Sequence, residues 1–271
     1  HRDLHSFPTR RSSDLVKYLS YGNIEKNKFK LPRDRKARKP RIENQLLLGW
    51  NSKTENIIRE YGNYLLEESK IDVVIPSPTA DIEKTFKQLS HQLPKISLKL
   101  INTDYRLRDQ MEKINPFTYD NILILASEWR EEASIEEIDS QTIYTLLLLR
   151  DMQRKQKKEQ TANTKLITEL LNPANQELIQ IAKVNDFIIS NQLISMMLAQ
   201  VSEQKTIYEV YYDLFRSEGS EIYLKPAHTY FDRLPIEVDF YDITSVVIQR
   251  NEIPFGYRIH RWEQRADLNF G

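Results

Sequence analysis

With 271 residues, 40% of them apolar and 29% charged, the chain is long enough to bury a core, and its 39 basic and 39 acidic side chains give no bulk attraction to nucleic acid or anionic lipid. It contains no cysteine, so a disulfide framework and a thiolate metal site are both excluded. The longest apolar runs, "ILILA" from Ile122 and "TLLLL" from Thr145, fall far short of the roughly 20 residues a membrane-spanning helix needs.

The first fifteen residues, "HRDLHSFPTRRSSDL", resemble residue for residue the translation of a common short-read sequencing adapter. The expectation is that residues 1–15 lie outside the natural protein and that its true start is missing. Such scars are left out of fold reasoning, and no apolar stretch here suits a secretory signal. Residues 16–41 read as a basic linker. The stretch "EKNKFKLPRDRKARKPR" holds nine basic and two acidic residues around Pro32 and Pro40, which suits a solvated approach to a domain better than a headgroup-binding patch.

From Ile42 onward, short apolar runs alternate with segments of helical spacing. Strands are predicted at Gln45–Gly49, Ile71–Ile75, Ser97–Asn102, Asn121–Ala126, Lys165–Leu170 and Asp186–Ser190. Helices are predicted at Thr54–Leu66, Ala80–Leu93, Tyr105–Ile114, Asp139–Lys158 and Asn175–Lys183. Nearly continuous apolar strands separated by helices imply a parallel sheet covered on both faces, with right-handed crossovers. The fold class is therefore α/β, a Rossmann-like doubly wound parallel sheet over 42–190. Gln141–Met152 is apolar nearly all round, as expected of a helix buried against that sheet.

The pattern changes after residue 190. Two helices are expected over 191–218, the first placing Leu193, Met196, Met197 and Leu198 on one apolar face, the second closed by Gly219. Residues 219–271 read as a small α+β lobe, with a strand in "SEIYLKP", a helix or strand in "DITSVVIQRN" and a strand in "PFGYRIHR".

Two places could carry chemistry. The turn "LGWNSK" leads from the first strand into the first helix, where a dinucleotide-binding fold has G-x-G-x-x-G. Gly49 stands alone there, followed by Trp50 and Asn51. The second strand ends in Pro76 and Ser77, where an acidic residue would grip the adenosine ribose. The turn thus reads as a degenerate cofactor site from which NAD is expected to be absent.

The second place is the acidic loop "SEWREEASIEEID", residues 127–139, at the carboxyl edge of the sheet. Its clustered carboxylates, Glu128, Glu131, Glu132 and Asp139 foremost, offer oxygen ligands for a divalent cation, although no EF-hand spacing is present and a solvated acidic loop is the ordinary alternative. His91, His228 and His260 have no metal-ligand spacing, and no G-x-S-x-G, P-loop or H-E-x-x-H motif occurs. No catalytic residue is assigned.

Several longer stretches carry a resemblance. "LLLGWNSKTENIIRE", "YDNILILASEW", "DSQTIYTLLLLRDMQ", "ITELLNPANQELI", "NDFIISNQLISMMLAQVSEQ" and "YEVYYDLFRSEGSEIYLKP" resemble, in order and spacing, the CASTOR/POLLUX family of ion channels over about residues 42–268. They look like the second of that family's cytosolic RCK-type (regulator of conductance) domains. The resemblance implies a regulatory domain of a cation channel on the cytoplasmic side of the cell membrane. Its transmembrane pore would lie upstream, and its partners would be other RCK-type domains in a homotetramer, with no nucleic acid. Residues 191–218 are expected to be crossover helices, and the apolar face of the first, with Leu193, Met196 and Met197, is expected to cross to a partner domain, the alternative being that the small lobe folds back over it. The family's calcium sites are not matched residue by residue. The loop at 154–164 is shorter than the family's, and with the chain ending at Gly271 the last strand of the small lobe is expected to be missing. The alternative is a soluble nucleotide-dependent enzyme or sensor on the same fold.

Overall fold

The computed structural model describes residues 42–127, 133–156, 164–175, 187–216, 222–232 and 238–258. Its centre is a parallel sheet of six strands: β1 (Asn44–Leu48), β2 (Lys70–Ile75), β3 (Ser97–Asn102), β4 (Asn121–Ile124), β5 (Lys165–Leu170) and β6 (Phe187–Ile189), in the order β3-β2-β1-β4-β5-β6. Every neighbouring pair is parallel, with Leu48 opposite Val74 on one side of β1 and Ile124 on the other. The chain first winds outward from β1 to β3, then returns to start β4 on the other side of β1. The gap between the carboxyl ends of β1 and β4 is the topological switch point.

Helices cover the sheet. Thr54–Tyr64 forms α1, Ala80–Gln92 α2, Arg108–Ile114 α3 and Ile135–Lys155 α4. Two apolar clusters lie on the two faces, as the alternation of side chains along a strand requires. Leu47, Ile71 and Val73 pack with Ile58 of α1 and Phe86 and Leu89 of α2. Leu46, Leu48 and Ile122 pack with Met111 of α3 and Leu146, Leu149 and Met152 of α4.

The ends of these helices follow from local chemistry. Thr79 caps α2, its hydroxyl accepting from Ile82 N at 3.3 Å. Asn115 ends α3 in the left-handed region at φ 53°, a conformation asparagine tolerates better than most residues. A capping box starts α4: the Ser134 hydroxyl accepts from Glu137 N, and the Glu137 carboxylate accepts from Ser134 N. This helix begins four residues before the expected Asp139, so Glu136 and Glu137 belong to its first turn rather than to a loop. Acidic residues there also suit the positive end of the helix dipole. Only one side of α4 is buried. That side packs against the sheet as expected, while Tyr144 and Leu147, three residues apart, are exposed on the other.

The remaining differences concern the later segments. Of the predicted helix at Asn175–Lys183, only Asn175 is described, in a short 3-10 turn that it shares with Pro173 and Ala174, and Gly219 lies outside the described residues. After β6 the chain forms α5 (Ser190–Glu203) and α6 (Ile207–Phe215).

The chain divides into two compact units. One is Lys39–Tyr211, which includes α5 with the sheet; the other takes in Tyr212–Gly271. In the second unit, α7 (Phe240–Val247) carries a capping box of Asp239 and Asp242. Val246 and Val247 of α7 pack with Tyr230 and Phe231. No strand occurs among its described residues, although strands were predicted within 220–226 and 254–261. Ile222, Tyr223 and Leu224 are all exposed, so this run presents no single buried face, and no described neighbour completes a ladder with it.

Glu252 ties this unit together. It accepts from Lys225 Nζ at 2.7 Å and from the Tyr230 hydroxyl, while Arg250 donates to Thr229 O at 2.7 Å. Burial pulls the Glu252 carboxyl up, but the hydrogen bonds from Lys225 and Tyr230 outweigh it and hold the group below its ordinary value. A carboxyl depressed in the folded state contributes stability that is complete above its unfolded value, about 4.3, and is lost as pH falls through the folded value. Acid melts followed by tyrosine fluorescence should therefore show the second unit losing stability below about pH 4. In Glu252→Gln that pH dependence should flatten, with a loss of about 1–2 kcal/mol at neutral pH from weakened charge-assisted bonds.

Candidate functional site

The carboxyl edge of the sheet is where the turn after β1 meets the ends of β4 and β5. Gly49 has φ +97°, in a region that side chains rarely adopt, and a Cβ built on it would stand 2.0 Å from the Ser127 hydroxyl oxygen. Glycine is needed at this position on both counts. The Trp50 ring packs with the apolar cluster under α1 and α2, while its backbone N–H donates to Ser127 Oγ at 2.7 Å. Ser127 is also bonded to the Tyr105 phenol, whose titration burial pushes up and this bond pulls back.

Asn51 is fully engaged. Its side-chain amide donates to Ala126 O and to Glu169 Oε2, both at 2.9 Å. Its side-chain oxygen accepts from Lys53 N at 3.0 Å, and its backbone N–H donates to Thr54 Oγ1 at 2.9 Å. The last two bonds close the turn and lead directly into α1.

Sequence reading missed Glu169. It sits in β5 between buried neighbours, is only 6% exposed, and reaches under the turn. Its carboxylate accepts from Lys53 Nζ at 2.5 Å, Asn51 Nδ2 at 2.9 Å and Ala126 N at 3.1 Å. Lys53 Nζ also lies 3.5 Å from Ser190 Oγ at the start of α5, and Ser190 Oγ lies 3.5 Å from Leu170 O. One carboxylate thus joins the turn, the end of β4 and β5, with the start of α5 linked through Lys53. The available signal was a single acidic residue inside the apolar strand "KLITEL", since a charge in such a place needs a partner.

Of the residues expected to bind a cation, only Asp139 is described. Glu128, Glu131 and Glu132 lie outside the described residues. Asp139 is fully buried, and its oxygens accept from Leu171 N and Asn172 N at 2.9 Å and Asn175 Nδ2 at 2.8 Å. Asp139 therefore fastens the turn after β5 to α4. No cluster of metal-ligating side chains occurs among the described residues. A recess of about 250 Å³ lies at the opposite, amino-terminal edge of the sheet, lined by Glu43, Gln45, Tyr61, Leu65 and Asn121.

This geometry gives two expected outcomes. Gly49→Ala should cost about 1–3 kcal/mol in urea unfolding, through both the strained φ and the clash with Ser127. Measured against Ser127→Gly alone, the added cost of Gly49→Ala in the double variant should be smaller but not zero, because only the clash is removed. Calorimetry with NADH should show no saturable heat at millimolar ligand; micromolar binding would overturn the reading of a degenerate turn.

No family model matches the chain. Among curated proteins it is 30% identical to the ion channel CASTOR of Lotus japonicus over 253 residues, covering 84% of this chain and 29% of that protein. It is 32% identical to the probable ion channel POLLUX of Arabidopsis thaliana, covering 82% of the chain and 30% of that protein. The ion channel DMI1 of Medicago truncatula is also 32% identical, at 88% and 31% coverage. The chain thus spans under a third of the length of the relatives it matches. One solved structure, an N-terminal ketoreductase from a macrolactin assembly line, is 13% identical over 46% of the chain and 28% of its own, and at a TM-score of 0.31 it is too distant to bear on function. The sustained likeness to the curated relatives, running from the sheet into the helices beyond it, places the chain in the CASTOR/POLLUX family.

Proposed function

We propose that the chain is a regulatory domain of a CASTOR/POLLUX-like channel subunit, of the RCK type, which packs against further such domains and biases a pore carried elsewhere in the subunit. The observation that supports this most directly is the apolar surface of α5. Leu193, Ile194, Met196 and Leu198 are 46–65% exposed in a helix whose only buried residue is Ser190. Met197 is half-buried. Large apolar side chains crowded on a short helix suit a surface that another protein covers.

The mechanism is a population shift. A ring of such domains has two arrangements, and a signal opens the pore only by binding one arrangement more tightly than the other. On this reading the domain lies at the cytoplasmic side of the membrane, held there by the pore-bearing part of the subunit. No helix among the described residues is long and apolar enough to cross a membrane. The domain contributes no catalysis, and the turn at Gly49 serves as scaffold. The rival reading, a nucleotide-dependent enzyme or sensor, would need a ligand in a turn whose donors are already engaged by Ser127 and Glu169.

Light scattering on the chain at increasing concentration tests the assembly. Dimers or larger species are expected, with an interface of roughly 1,200 Å² or more in total. Met196→Glu and Leu193→Glu should each weaken association at least tenfold without lowering the melting temperature, because both positions are exposed. A chain that stays monomeric at high concentration, unaffected by either substitution, would sink this reading.

A further inference from the structure

From the carboxyl edge of the sheet we infer that the chain holds an anion cage whose occupant is its own Glu169 carboxylate, an autoinhibitory contact that keeps outside anions out of the turn. The cage consists of Lys53 Nζ, the Asn51 side-chain amide and Ala126 N, at 2.5, 2.9 and 3.1 Å from the carboxylate oxygens. These donors come from two segments on either side of the switch point, where sheets of this kind receive the phosphates of their ligands. The negative charge there comes instead from β5, 116 positions along the chain from Lys53.

The occupancy is strong for physical reasons. A carboxylate with this little exposure is strongly destabilised by the loss of its water unless charged and polar donors replace it. Here they do, and bonds of this charge-assisted kind are about twice as strong as neutral ones. A phosphate entering the turn would have to take the same donors. It would leave Glu169 buried and unpaired while adding like charge beside it. The turn is therefore held in a filled conformation without any ligand, and the protein is insensitive to phosphate at this edge. This inference goes beyond the channel reading and does not depend on it, since every contact lies within one unit of one chain.

Removing the occupant exposes the cage. In Glu169→Ala, Lys53 and the two other donors lose their partner and the site becomes net positive, with space where the side chain had been. The test is a thermal melt of the full chain in inorganic phosphate against sodium chloride of equal ionic strength. The wild-type chain should show no phosphate-specific shift. Glu169→Ala should melt several degrees lower in chloride and regain stability saturably with millimolar phosphate, because a ligand bound only to the native state must raise the melt. Lys53→Ala/Glu169→Ala should lose that gain. A phosphate-specific shift in the wild type, or a folded Glu169→Ala with none, overturns the proposal. If Glu169→Ala does not fold, the isosteric Glu169→Gln decides the matter. Lys53→Met strands the buried carboxylate, so Lys53→Met/Glu169→Gln should melt no lower than Lys53→Met alone. A double variant that loses the full sum of both single effects overturns the cage.

Discussion

Leu46, Leu47 and Leu48 follow one another along β1, and none has exposed surface. A strand can bury three consecutive side chains only if both faces of its sheet are covered, and most of the architecture follows from that requirement. The α1–α2 layer takes Leu47, and the α3–α4 layer takes Leu46 and Leu48. Each such leucine contributes about 1.5–3 kcal/mol by leaving water, so neither layer is dispensable. The parallel ladders on both sides of β1 then fix where its carboxyl end emerges, and hence where the turn at Gly49 meets β4 and β5.

Two buried carboxylates complete this edge, and both work by satisfying backbone or amide donors. Asp139 accepts from the turn after β5 and anchors it to α4. Glu169 accepts from the end of β4 and from the turn after β1. Buried acids at such an edge often carry chemistry, yet here the hydrogen-bond partners are the chain's own, and the result is a fastened rim.

The sheet was legible because its signal is local. Ser97–Asn102 and Lys165–Leu170 coincide with their predicted spans, and the other four strands differ by one or two residues at one or both ends. The start of α4 was not, because Ser134 and Glu137 read as part of an acidic run, although their spacing is that of a capping box. The site was legible only in part. A lone Gly49 disclosed a tight turn between β1 and α1, but its filling by Ser127 and Glu169 depends on residues 77 and 118 positions away from the turn. In the second unit, residues 222–224 have the composition of a strand, and composition does not supply a partner.

The central place of β1 has a kinetic consequence. Its neighbour on one side is β2, close in sequence, but on the other it is β4, and Asn44 N finds its acceptor on Asp120, 76 positions later. Contacts of such separation are slow to form, because a long loop must close before they repay its entropy. A chain emerging from the ribosome can assemble β1, β2 and β3 with α1 and α2, and so cover Leu47, Ile71 and Val73, while Leu46 and Leu48 still face solvent. That half-dressed sheet offers an unpaired edge and an apolar face together, the combination that promotes misassembly. It persists until β4 and α4 arrive, and the interval between Leu48 and Met152 is therefore the period in which this domain most needs protection.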